Sequence, residues 1–248
     1  MARSIQTFYA ILFVSLLMLP LVEARWSWPR YLKRLASGVP DARLHHFRNL
    51  LVWEWVLTLG FLLSWAASGR PWGSMVIGHA SLIQSTLFLI FAALFILVFH
   101  RQQRSILSRP AVVERLRPRL EYAKPLLPHT MGERRLFWAV SITAGICEET
   151  LYRGFLTWYI ASFAGPWAAI VLSSLIFGLG HIYLGVKQVP RTFLVGLILA
   201  LLAYFSGSLW PSIVLHAAID WNSGELGYAI LNRPRSAELD ADGAAESV

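Results

Sequence analysis

Seven apolar runs take up most of the 248-residue chain, and they limit what it can fold into more than any other feature. They cover about residues 5–22, 49–67, 76–99, 136–161, 166–184, 191–206 and 209–231. Several reach the ~20 residues that a helix needs to cross the hydrocarbon core of a bilayer. Inside that core each backbone polar group must be satisfied within its own segment, so runs of this length are expected to be helical. Composition agrees: 56% of the residues are hydrophobic and 15% charged, against about 25% charged in soluble domains. The expected fold is all-α, a polytopic transmembrane helix bundle of about seven spans. The protein is expected to be integral to a membrane, the plasma (inner) membrane if bacterial.

Lys and Arg are spread unevenly between the runs. Residues 24–48 hold Arg25, Arg30, Lys33, Arg34, Arg43 and Arg48, and residues 100–135 hold nine more. Lys187 and Arg191 precede the sixth run, Arg233 and Arg235 follow the seventh, and the alternate bends hold only Arg70. Cytoplasmic loops carry the Lys/Arg excess. This places the N-terminus outside and the C-terminus in the cytoplasm. The formal charge of +8 then points to anionic lipid headgroups as partners. Nucleic acid is not expected, because no basic face sits on a soluble module. The first run also resembles a cleavable signal peptide ending at Val22-Glu23-Ala24. Cleavage there would leave six cations on the outer side, so an uncleaved span is expected. The 100–135 stretch is amphipathic and broken by Pro110, Pro118, Pro125 and Pro128, as expected of a segment lying along headgroups. The chain divides into N-terminal spans and basic loops (1–135), a helical core (136–231) and a polar tail (232–248) expected to be disordered.

A charge at the bilayer centre costs roughly 2.5–3.5 kcal/mol on insertion scales, so charges placed there need a partner or a task. They collect in the second half. The fourth run contains Glu148-Glu149-Thr150-Leu151-Tyr152-Arg153, the fifth Phe177-Gly178-Leu179-Gly180-His181, and the seventh His216-Ala217-Ala218-Ile219-Asp220. In the first half only Glu54 stands out, and it reads as lying near a span end within reach of headgroups. Residues four apart share a helix face, so Arg153 can neutralise Glu149, while Glu148 points ~100° away. His216 and Asp220 likewise share a face, and Phe177 can wall His181 from lipid. A carboxylate and an imidazole can deprotonate a water, and a second imidazole can stabilise the resulting oxyanion. The same groups suit a divalent metal such as zinc, held by Glu148, His181 and His216. Cys147, the single cysteine, reads as a small packing residue, because a thiol in apolar surroundings is usually inert. There is no His-Glu-x-x-His motif, and Trp221 stands where a rhomboid-type serine motif around Ser223 needs glycine.

Glu-Glu-x-x-x-Arg, Phe-x-x-x-His and His-x-x-x-Asn/Asp, in that order on three apolar helices, resemble the signature of the CAAX-protease and bacteriocin-processing (CPBP) family over about residues 136–222. The resemblance implies an intramembrane endopeptidase. Glu148 and His181 would activate water, Glu149 and Arg153 would support them, and His216 and Asp220 would face the oxyanion. The substrate implied is a peptide or lipid-anchored protein cut near its C-terminus, prenylated or bearing a sorting signal. Asp220 departs from the asparagine of the CAAX endopeptidases, and an aspartate donates a hydrogen bond only when protonated. Two other readings stay open: a proton-coupled transporter, and an inactive relative acting in immunity or binding.

Overall fold

The computed structural model describes residues 2–76 and 81–234, and a helix lies on each of the seven apolar runs. Apart from residues 232–234, the polar tail lies outside the described residues. Four helical stretches are long and apolar enough to cross a membrane: Ser4–Ala36, Ala42–Ala67, Leu82–Leu107 and Val186–Ser206. The fold is that of an integral membrane protein. Pro166–Gly180 is apolar but shorter. The helices that carry the glutamate pair and His216 are less apolar, because the polar motifs lie within them.

The first two basic stretches are more helical than the sequence suggested. α1 (Ala2–Val22) continues through a π-helical turn, Glu23–Ser27, into α2 (Trp28–Ala36). Nothing stops it before Gly38, whose φ of +67° turns the chain. α2 is amphipathic, burying Trp28 and Tyr31 and exposing Arg30, Lys33 and Arg34. α3 (Ala42–Ala67) follows. Its Arg43, counted above among the headgroup cations, is instead buried: Nη1 lies 2.9 Å from Glu133 Oε1, and Nε donates to Pro125 O at 3.1 Å. Tyr31 Oη donates to the same carbonyl at 2.6 Å. α4 (Leu82–Leu107) begins at a Ser81/Gln84 capping box and runs on to Leu107, two residues before Arg109-Pro110 breaks it. α5 (Pro110–Leu116) is short.

α6 (Met131–Glu148) is the central element. A π-helical segment, Glu149–Leu156, joins it without a break to α7 (Thr157–Ala164). α8 (Pro166–Gly180), α9 (Val189–Ser206) and α10 (Trp210–Leu231) complete the bundle. α3 runs parallel to α6 with a steady register. Arg43 meets Glu133, the Phe47 and Phe137 rings lie 5.5 Å apart, and Trp55 Nε1 donates to Thr143 Oγ1 at 3.2 Å. α10 runs antiparallel on the other flank, where Gly145 permits close approach: a Cβ there would sit 2.8 Å from Ala217 Cβ and 2.9 Å from Ile213 O. Small residues at such crossings let membrane helices gain packing that lipid cannot replace. α1 seals one end of the bundle, its Tyr9, Leu12 and Leu16 packing with Phe61, Trp65, Phe155 and Ile160. α4 is outermost, burying Ala92 and exposing Leu82, Ile83, Leu87, Phe91 and Leu94, a surface suited to lipid.

Candidate active site

The glutamate pair sits where α6 gives way to the π-helical segment. Such segments are rare and occur frequently at functional sites. The i, i+4 pairing expected of Glu149 and Arg153 survives the wider turn. Arg153 Nη1 donates to Glu149 Oε1 at 2.7 Å, with both side chains almost wholly buried. Arg153 Nη2 donates to Gly196 O on α9 at 3.0 Å, and the guanidinium lies over the Phe177 ring, 4.2 Å from its centroid. Further contacts of this kind offset the cost of burying an ion pair, although Glu149 Oε2 is buried without a hydrogen-bond partner.

Glu149 also fixes a histidine. His216 Nδ1 lies 2.8 Å from Glu149 Oε1. A carboxylate only accepts, so Nδ1 carries the proton and donates. This turns Nε2 away from Glu149, toward Asp220 Oδ2 at 3.6 Å and Glu148 Oε2 at 3.9 Å. Both separations are too long for a direct hydrogen bond. Nε2 therefore faces two carboxylates without being tied to either. The Glu148 and Asp220 side chains are 22% and 37% exposed while that of Glu149 is 0% exposed, so the site opens on the side of the first two.

His181 is the first residue past the end of α8. Its Nδ1 lies 3.0 Å from Phe177 O and must donate to that carbonyl, which leaves a lone pair on Nε2 of the neutral ring. Phe177 stands between the two imidazoles, 5.0 Å from the His181 ring and 5.7 Å from that of His216. Tyr183 stacks near His181 at 6.1 Å.

The six residues singled out in the sequence thus come together. Glu149, Arg153 and His216 form one bonded chain, Glu148 and Asp220 flank His216 Nε2, and His181 is reached across Phe177. Among the described residues no three His, Cys, Asp or Glu side chains are arranged to hold a metal ion. The trio of Glu148, His181 and His216 therefore does not form the donor set considered above. Cys147 is fully buried. A cavity of about 310 Å³ lined by Leu62, Met75, Thr150, Leu209 and Ile213 lies apart from this chemistry and is lined by none of the six.

Two carboxylates of the first half, Glu54 and Glu23, differ from their sequence reading. Glu54 is mid-helix in α3 and does not reach headgroups. Its Oε2 is buried without a partner, and the charges of Glu148, Asp220 and His216 act on it. Glu23, in the first π-helical turn, likewise feels the charge of Glu148. A sequence signal existed for Glu54: it lies on the stripe Phe47, Leu51, Glu54, Thr58, Phe61, Trp65, spaced three or four residues apart.

Residues 132–222 match the family model described as type II CAAX prenyl endopeptidase Rce1-like. Over these 91 residues, a little over a third of its length, the chain is similar to the CAAX-type proteases of the CPBP family. No curated protein and no solved structure matches the chain. The matched segment runs from the first turn of α6 to the middle of α10. It contains all six site residues and the Phe177 that separates the histidines, and excludes Glu23 and Glu54.

Proposed function

We propose that the chain is an intramembrane endopeptidase that uses Glu148 and His181 to activate water. It cleaves a hydrophobic or lipid-anchored protein near its C-terminus. The scissile amide enters from the open side of Glu148 and Asp220. Glu148 takes a proton from a water oriented by the free Nε2 of His181. The resulting hydroxide adds to the carbonyl carbon. His216, held by Glu149 and donating from Nε2 as an imidazolium, stabilises the oxyanion. Asp220 balances that charge. The C–N bond then breaks as the leaving amine takes the proton held on Glu148, which restores the carboxylate. Preorganised donors aimed at developing charge are usually the largest single contribution to such a reaction.

The observation that carries this reading is the fixed orientation of His216. Its Nδ1 is held by the buried Glu149–Arg153 pair and its Nε2 is directed at two partly open carboxylates. A packing histidine does not require that arrangement. The test uses purified protein in detergent with a panel of C-terminal peptides, prenylated and unmodified, with and without chelator. Wild-type protein is expected to cleave at least one class. Glu148→Gln and His181→Ala are each expected to lower kcat by about 100-fold or more, in the range of lost general acid–base catalysis. Undiminished cleavage by both variants would overturn the assignment.

A further inference from the structure

The buried face of α3 is apolar at Phe47, Phe61 and Trp65, carries one small hydroxyl, Thr58, and begins at Arg43, which is paired with Glu133. Glu54 is the acidic residue on that stripe. A carboxyl group at this depth is costly and is retained where it has a partner or a task. Its Oε2 has neither water-accessible surface nor a hydrogen-bond partner. The register of the parallel pair shows what it faces. Trp55 bonds to Thr143 of α6, so Glu54 lies level with Thr143, between one and two turns before Glu148 at the end of α6. Glu148, Asp220, His216 and Glu23 are the charged groups that act on it, drawn from α6, α10 and the first π-helical turn. Arg153 is already engaged by Glu149 and Gly196.

We infer that Glu54 is a positioning residue of the site, a carboxyl group supplied by α3 that acts through Glu148. This rests on the peptidase reading above. It also places a working residue of the site outside the matched segment 132–222. Carboxyl groups that interact titrate as a pair, so their protonation belongs to neither residue alone. In the reaction, Glu54 restrains the Glu148 carboxyl in the rotamer that meets the water. It forms no bond to substrate.

Two measurements test this, and the first needs no turnover. A hydrophobic carbodiimide modifies protonated carboxyl groups within membrane proteins. The rate of modification at Glu54 is read by mass spectrometry of the labelled peptide, in wild-type protein and in Glu148→Gln. Proton sharing is expected to make the two rates differ at least threefold. Equal rates across the pH range overturn the inference and leave the peptidase reading untouched. The second measurement compares Glu54→Leu, Glu54→Gln and the lipid-face control Val52→Ala. Glu54→Leu is expected to lower kcat about tenfold or more with KM nearly unchanged, since small misplacements of reacting groups cost up to about a hundredfold. Glu54→Gln, which keeps the shape and a hydrogen bond, is expected to recover part of that loss, and Val52→Ala to match wild type. A kcat loss in Glu54→Leu that follows its loss of thermal stability, with no recovery in Glu54→Gln, assigns Glu54 to packing and overturns the inference. Absence of cleavage by wild-type protein on every peptide counts against the peptidase reading, and the labelling comparison still decides the place of Glu54.

Discussion

At the scale of single residues, the arrangement turns on Glu149, which serves two partners with one oxygen. Oε1 accepts from Arg153 at 2.7 Å and from His216 at 2.8 Å. Removing one partner of a buried pair leaves an uncompensated charge, at a cost of about 3–5 kcal/mol. Arg153→Met is therefore expected to destabilise the protein by that order, read as a lower unfolding midpoint in detergent. Glu149→Gln added to Arg153→Met is expected to recover much of the loss, because the orphaned charge is gone. The double-mutant cycle then gives a coupling energy well above experimental error. Additive losses would show that the two side chains are not coupled and that His216 is held by other means.

The helices explain what was legible in the sequence and what was not. Apolar length located the runs and the motif spacing located the site, because Glu149/Arg153 and His216/Asp220 are local i, i+4 relations that survive folding. Which helix faces which is not a local relation. Nothing in the spacing said that α3 runs beside α6, so Glu54 read as a span-end charge and Arg43 as a headgroup cation, although one has a buried oxygen at mid-helix and the other pairs with Glu133. The π-helical turns escaped notice for a different reason: one extra residue in a turn leaves no compositional mark at Glu23–Ser27 or Glu149–Leu156. The contact of α6 with α10 was also invisible, and it supports a second prediction. Gly145→Val places methyl groups against Ile213 O and Ala217 at separations already under 3.0 Å for a Cβ. Overpacking of this kind costs about 1–3 kcal/mol. Because His216 lies on the displaced helix, the variant is expected to lose activity more steeply than stability. Gly132→Ala, where a Cβ meets only Thr130 Oγ1 at 3.9 Å, is the control and is expected to be neutral.

At the scale of the whole molecule, the question is how the bundle sits in the bilayer. α1 is integral to the packing, since Tyr9, Leu12 and Leu16 meet α3 and the α6–α7 rod. Loss of residues 1–24 would expose that core. Intact-mass measurement of membrane-purified protein is therefore expected to find the first helix retained, and a mature chain beginning at Arg25 would contradict this. Retention then bears on orientation. With α1 in place and all seven runs crossing, the basic stretches at 24–48, at 100–135, before α9 and after α10 would all fall on one side, and Arg70 on the other. The Lys/Arg bias acts over short loops near the span ends, so that side is expected to be the cytoplasm. The Arg43–Glu133 pair links the start of α3 to the start of α6, so both must begin on the same side, as their parallel packing requires. Reporter fusions at residues 40, 70, 120 and 234 test the arrangement. Cytoplasmic signals are expected at 40, 120 and 234 and an external one at 70. A cytoplasmic signal at 70 would mean that α3 does not cross. Because α6 rises beside α3 in register, such a result would also move the glutamate pair out of the membrane and remove the need for its buried partners.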